Sequence, residues 1–265
     1  MRQEDQTQRP YEVLPSPETA IWRYLSLPKL LSLLQTEALF LCRADLLNDA
    51  FEGSFSHGSL EDFHVASGDE FPGDLVGLIR WAPTRSFVSC WHVAVEESAA
   101  LWRIYGPSEG SVAIRTTVGA LQSAFPETTE TVSGRLINQG IRRVQYIDYR
   151  TEHPYLNDLM GPLCFKRRAF AFEDELRVIR QEFPTTAAKD RPDGRAVLMG
   201  PPPTERGLKI RVDLGSLLDA VHVAPTSPPW LVEALNDTIR RSGLQLESCC
   251  QSTLDELPDF PRWEA

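Results

Sequence analysis

The sequence is short of the features that mark a metal-bound, secreted or membrane protein. Its 265 residues include five cysteines and five histidines. Cys42, Cys90 and Cys164 stand far apart, Cys249 and Cys250 are adjacent, and no CxxC, HxH, HxxxH or HExxH spacing occurs. No zinc site is readable, and the cysteines read as small buried apolar residues. No apolar run approaches the roughly 18 to 20 residues of a membrane-spanning helix, and the opening MRQEDQTQRPYE has no signal-like apolar stretch. The expectation is a soluble, cytoplasmic protein with no membrane partner. Lysine is scarce, at positions 29, 166, 189 and 209 alone, and 37 acidic residues against 27 basic ones give a formal charge of -10. That balance opposes long-range capture of nucleic acid, leaving only local basic grooves. Walker A, GxGxxG, GxSxG and EF-hand patterns are absent. What is present, 42% hydrophobic and 24% charged residues, is ordinary globular material. At this length a fold buries roughly 75% of its unfolded surface, enough to be stable without disulfides or a structural metal.

The pattern along the chain predicts a polar N-terminal arm over 1–19, one α+β domain over 20–251 and a tail over 252–265. IWRYLS, ALFLCRA, SFVSCW, SVAIRT, VQYIDY, ELRVIRQEF, LKIRVD, VHVAP and LQLESC read as strands. Helical spacing covers 27–38, where Pro28 sits in the first turn and Leu30, Leu31, Leu33 and Leu34 form a stripe. It recurs over 98–105, 155–171 and PPWLVEALNDTIRRSG, 228–243, which Gly243 stops, with a short helix at LGSLLDA and a helix or pair of turns over 118–125. Pro184 to Pro203 reads as a polar loop. Strands and helices interleave irregularly, so a mixed or antiparallel split sheet with packed helices is expected rather than a doubly wound one.

Three constellations could carry chemistry. In AFEDELRVIR, a strand beginning near Glu173 would place Glu173, Glu175 and Arg177 on one face. Repulsion between the carboxylates raises one pKa while the guanidinium lowers both, so the group could hold an ionised Glu against a developing cation. The competing reading is a solvated edge strand with a surface ion pair. In LLNDAFEG the candidates are Asn48, Asp49 and Glu52: either the segment is a turn anchored by Phe51 and Phe55, or it presents Asn48 or Asp49 to a ligand. In WRIYG, Trp102 and Tyr105 share a helical face and are either core or the wall of a pocket for a flat ring. Arg23, between Trp22 and Tyr24, is either a snorkelling side chain or an anion ligand.

Two resemblances order these pieces. IWRYLS, LFLCRADLLNDAFEG, FVSCW, ALWRIYGPSEGSVAI, VQYID, FKRRAFAFEDELRVI and VHVAP together resemble the family called domain of unknown function 2971, over roughly residues 21 to 250. More weakly, Arg23 in IWRYLS, Ser89 in FVSCW, and Glu173 and Glu175 in FEDEL are similar to the Arg-Ser-Glu signature of ADP-ribosyltransferases. That resemblance implies NAD as substrate. Arg23 would bind its phosphate, Ser89 would orient the site, Glu175 would support an oxocarbenium-like transition state and Glu173 would help activate an acceptor. Tyr24, Asn48, Asp49, Trp102, Tyr105 and Arg177 complete the expected binding set. The acceptor is a protein or nucleic acid, no metal is expected, and a bacterial toxin or phage-defence effector is the implied context. Two other classes stay open: a non-enzymatic protein that binds a partner protein, and a metal-dependent hydrolase or nuclease using Asp45, Asp49, Glu52, Glu173 and Glu175.

Overall fold

The computed structural model describes residues 10–56, 58–59, 79–106, 110–154, 156, 158–184 and 203–256. These form the expected α+β fold. In chain order the elements are β1 (Ala20–Ser26), α1 (Leu27–Thr36), β2 (Ala38–Arg43), β3 (Ser86–Val93), α2 (Ala99–Tyr105), β4 (Ser111–Thr117) and α3 (Val118–Ala124). Then come β5 (Thr128–Val132), β6 (Arg135–Arg143), β7 (Gln145–Ile147), β8 (Phe165–Arg167), β9 (Glu175–Pro184) and β10 (Gly207–Arg211). The chain ends with α4 (Leu214–Leu217), β11 (Ala220–Val223), α5 (Pro229–Arg241) and β12 (Ser248–Gln251).

Ten strands share one sheet in the order β12-β11-β4-β1-β3-β9-β6-β5, with β2 joined to β3 and β10. Its pairings are antiparallel except β11 with β12. β7 and β8 form a separate parallel pair. The feature that matters for function is a fork. β9 runs unbroken along one edge of β3 from Ser86 to His92. The other edge is divided, with β2 pairing at Phe87 and Val88 and β1 pairing at His92 and Val93.

Period-two alternation assigns the faces. Phe87 and Trp91 join Ile21, Leu25 and Ile114 in the larger core, which the apolar stripes of α1, α3, α4 and α5 cover. Val88 and Ile179 turn to a smaller core with Tyr11, Tyr149, Leu156, Leu163 and Phe165. Helix starts follow local chemistry: Ser98 Oγ accepts from Leu101 N at 3.3 Å and Thr117 Oγ1 from Ala120 N at 3.2 Å. α1 stops where Glu37 takes a left-handed φ of 47°.

Several expectations are corrected. The helical spacing over 155–171 is realised as two 3-10 segments, Gly161–Cys164 and Arg168–Glu173, flanking β8. Pro162 sits in the first turn of one of them and its neighbours are buried, so apolar periodicity there reports burial rather than an α-helix. VQYIDY supplies only the three residues of β7, and the C-terminal strand begins at Ser248 rather than within LQLE. The β5–β6 hairpin was not anticipated, because RLINQGIRR is polar. Its turn, Ser133 and Gly134 at φ 49° and 74°, has the left-handed pair that two-residue hairpin loops need. Within the expected arm, Tyr11 is buried with its ring edge-on to Phe165 at 5.7 Å. Most of the Pro184 to Pro203 loop lies outside the described residues, as do 57, 60–78 and 257–265. Among the described residues no helix is long and apolar enough to cross a membrane.

Candidate functional site

A cavity of about 350 Å³ opens at the fork, a volume suited to a small-molecule ligand. Side chains from five strands, two helices, the loop over 47–52 and the 3-10 segment before β9 meet in it. From β3 come Val88, Cys90, Trp91 and His92, and from β9 come Glu175 and Arg177. The register explains the set: Cys90 pairs with Arg177 and His92 with Glu175, so these residues share a face. Glu173 arrives differently from the expectation. The strand starts at Glu175, and Glu173 ends the preceding 3-10 segment, from which Asp174, at φ 38°, turns the chain into β9.

The carboxylates are buried and bound to cations. Arg177 is fully buried and donates from Nε to Glu175 Oε2 at 2.6 Å, from Nη2 to Glu52 Oε1 at 2.7 Å and from Nη1 to the Leu163 carbonyl at 2.8 Å. Lys166 Nζ donates to Glu173 Oε2 and to Glu175 Oε1, the latter at 3.2 Å, and lies 3.3 Å from Glu52 Oε1. Tyr105 Oη donates to Glu173 Oε1 at 2.6 Å. The His92 ring contacts the Glu173 carbonyl through Nδ1 at 2.6 Å. The surface ion-pair reading of FEDELR therefore fails: three carboxylates and two cations share one buried cluster, with one negative charge in excess when all are ionised.

The two glutamates of the pair are driven apart. Burial pushes Glu175 up, but the charges of Arg177 and Lys166 outweigh it and hold the carboxyl below its ordinary value of 4.5. Burial, reinforced by Glu175, pushes Glu173 above that value. At neutral pH Glu175 is an ionised group and Glu173 is the readier proton acceptor. Burial also raises the Cys90 thiol to about 12, which removes it as a thiolate nucleophile.

The cavity lining also carries basic residues. Arg23 belongs by alternation to the larger-core face of β1, yet its guanidinium reaches into the gap between β1 and β2. There Nη2 donates to the Phe40 carbonyl at 3.0 Å, and the charge lies 5.9 Å from the Trp91 ring centre. Among the described residues Arg23 has no carboxylate partner, and Lys29 also lines the cavity. A guanidinium of this kind at a cavity wall can bind an anion. Tyr24 and Phe170 supply aromatic walls.

The binding set expected from sequence divides. Arg23, Tyr24, Asn48, Asp49, Tyr105, Glu173, Glu175 and Arg177 line the one cavity. Asp49 reconciles its two readings, since Oδ1 accepts from Phe51 N at 3.1 Å as a turn former while the carboxylate also receives Arg167 at 2.7 Å. Two residues are corrected. Ser89 pairs with Val178 and points to the larger core, where its Oγ accepts from Trp91 Nε1 at 3.1 Å. Alternation gives the pocket position to Cys90. Trp102 does not wall the cavity but backs Tyr24, ring centres 5.0 Å apart, and donates from Nε1 to Glu97 at 2.7 Å. Lys166 and His92, which also line the cavity, were missed, and Glu52, read from sequence as part of the LLNDAFEG constellation and as a possible metal ligand, lines it too. Lys166 carried a usable signal, being one of four lysines and directly upstream of FEDEL.

The Ser89 placement gives a first expected result. Ser89→Ala leaves turnover of the site within about twofold and lowers stability by about 1 kcal/mol through the lost hydrogen bond to Trp91. Denaturant unfolding alongside an activity assay checks both. The metal reading loses its donor set, because Asp45 binds Arg43 at 2.6 Å, Asp49 binds Arg167, and Glu52, Glu173 and Glu175 hold Lys166 and Arg177. Among the described residues no group of three metal-ligating side chains is arranged for an ion.

Fold and site together define an α+β protein with a forked sheet and a buried carboxylate–guanidinium pocket at the fork. No protein-family model matches the chain, so the likeness to domain of unknown function 2971 rests on the quoted motifs. No curated protein matches either. Among solved structures the chain is similar to Thermus sp. 2.9 DarT in complex with NAD+, at 10% identity and a TM-score of 0.38 over 91% of this chain and 98% of that one. It is also similar to the same protein in complex with ADP-ribosylated ssDNA, at 10% identity and a TM-score of 0.39 over 91% and 97%. A third, in complex with carba-NAD+, has 9% identity and a TM-score of 0.39 over 90% and 97%.

Proposed function

We propose that the cavity at the fork binds NAD and that the protein is an ADP-ribosyltransferase-like enzyme, transferring ADP-ribose to a protein or nucleic-acid acceptor. One observation supports this reading: Arg23, without a carboxylate partner among the described residues, and the Glu173–Glu175 pair line one cavity together with the rings of Tyr24 and Phe170. A dinucleotide matches that set, with phosphates for the guanidinium and a ribose for the carboxylates. In the reaction the bond between ribose C1′ and the nicotinamide nitrogen breaks, its electron pair leaving with neutral nicotinamide. The acceptor's oxygen or nitrogen bonds to C1′ and its proton passes to Glu173, whose raised pKa suits a base. Positive charge develops on the ribose only in between, and ionised Glu175, held by Arg177, is preorganised to oppose it.

The phosphate role of Arg23 is testable by calorimetry. Arg23→Gln removes a charge-assisted contact and weakens NAD binding by about ten- to a hundredfold. Equal affinity of wild type and variant would remove Arg23 from the site. The alternative of a purely partner-binding protein has no comparable observation behind it, since a buried acidic cluster with one uncompensated charge beside a cavity is costly as architecture.

A further inference from the structure

Tyr105 was read from sequence as a flat ring beside a pocket, yet it is the hydroxyl that the site engages. The residue ends α2 and is 47% exposed, whereas Glu173, to which its Oη donates at 2.6 Å, is 4% exposed. Both line the cavity. The bond therefore ties a surface helix to the buried cluster. The rest of α2 holds the hydroxyl in place. At the start of the helix Ser98 N donates to Tyr24 Oη at 2.7 Å, and one turn on Trp102 packs edge-on to the Tyr24 ring. At its end the Gly106 N–H closes on the Trp102 carbonyl at 2.9 Å. A Cβ at Gly106 would meet the Trp102 ring at 2.7 Å, so glycine lets the chain turn away directly after Tyr105.

Glu173 is gripped at three points. Tyr105 donates to Oε1, Lys166 Nζ donates to Oε2, and His92 holds the main-chain carbonyl. A carbonyl only accepts, so His92 Nδ1 carries the hydrogen. The other charged or titratable groups around the carboxylate are Glu175 and Arg177 of β9, Glu52, Asp174, which binds Arg143, and Tyr146 of β7, whose Oη accepts from Glu175 N at 2.9 Å. Lys166 also serves Glu52 and Glu175, which leaves Tyr105 as the side-chain donor given to Glu173 alone. One donor on each oxygen fixes the rotation of the carboxyl, and a hydrogen bond to the ionised form favours that form. We propose that Tyr105 is a positioning residue whose hydroxyl aims the Glu173 carboxylate at the incoming acceptor and tunes its basicity. The acceptor and the base role of Glu173 rest on the proposed ADP-ribosyl transfer. The grip of Tyr105 on the carboxylate does not.

Tyr105→Phe deletes the hydroxyl and keeps the ring at a half-exposed position, so the variant folds. Two measurements on the full chain separate the grip from the reaction. Carbon-13 NMR of the side-chain carboxyls titrates Glu173 directly, its signal assigned by its disappearance in Glu173→Gln. In Tyr105→Phe that carboxyl is expected to titrate about one pH unit higher than in wild type, since the lost bond favoured the ionised form. The second measurement is the pH profile of nicotinamide release from NAD, with a lysate of bacterial protein and RNA as acceptor. The acid limb of kcat is expected to move up by the same amount. On the plateau kcat is expected to fall about tenfold through misalignment, and KM for NAD to stay within about twofold. A residue that merely packs would lower the melting temperature and leave both titrations in place. An unmoved Glu173 titration overturns the proposal, and so does a moved carboxyl with an unmoved acid limb. If wild type releases no nicotinamide, the NAD reading falls, and the carboxyl titration alone decides whether Tyr105 controls Glu173.

Discussion

Glu175→Gln is expected to lower the rate of nicotinamide release from NAD by about 10² to 10³-fold, with little change in NAD affinity. That is the scale seen when one preorganised electrostatic group facing a transition state is removed. The substitution keeps the shape of the side chain and one of its two accepting oxygens, which take Lys166 and Arg177, while deleting the charge. It therefore separates charge stabilisation from packing. The split follows from the timing of the charge: bound NAD does not yet carry the ribose cation, so kcat falls and KM does not. The same variant has a signature in stability. Glu175 is held below 4.5 in the fold, so it contributes stability that is present above that pH and is lost as pH falls towards its depressed folded value. Wild type should lose stability on acidification more steeply than Glu175→Gln. Thermal melts over an acid series measure the difference, and superimposable curves would mean that Glu175 is not held ionised.

Arg177→Met is expected to be the most destabilising single change at the site, by about 3 to 5 kcal/mol. Arg177 is fully buried and satisfies Glu175, Glu52 and the Leu163 carbonyl at once. Methionine fills much of the volume but leaves three buried carboxylates, Glu52, Glu173 and Glu175, with Lys166 as their shared cation. The penalty therefore comes from the charges left behind rather than from the pair itself. Denaturant unfolding at pH 7 measures it. The loss should shrink in Arg177→Met combined with Glu175→Gln, because the variant's uncompensated charge is then halved. Purely additive effects would contradict the shared network.

How much of this was legible in the sequence depended on whether a residue's role was set locally. α1 was readable because Pro28 sits in its first turn and apolar spacing fills it, and α2 and α3 by their spacing alone. β6 was not, although it lies inside the sheet. Its alternation is carried by Ile137 and Ile141 with Asn, Gln and Gly between, and its partners on either side are set by tertiary pairing. The site shows the same division. Arg23, Glu173 and Glu175 were found by their order along the chain, and the structure brings them to one cavity. Ser89 was misplaced by a single residue of register, which in a strand reverses the face. Glu52 sat in view inside NDAFEG, but its place in the buried cluster exists only once Arg177, 125 positions further on, donates to it.

The measurement that bears most directly on the account is nicotinamide release from NAD by the purified protein, supplied with a lysate of bacterial protein and RNA as acceptor. Glu175→Gln and Ser89→Ala run beside it. The account predicts release by wild type and by Ser89→Ala at similar rates, and a loss of about 10² or more with Glu175→Gln. Release that survives in Glu175→Gln, or that is abolished in a folded Ser89→Ala, would contradict a catalytic pocket at the fork of the sheet.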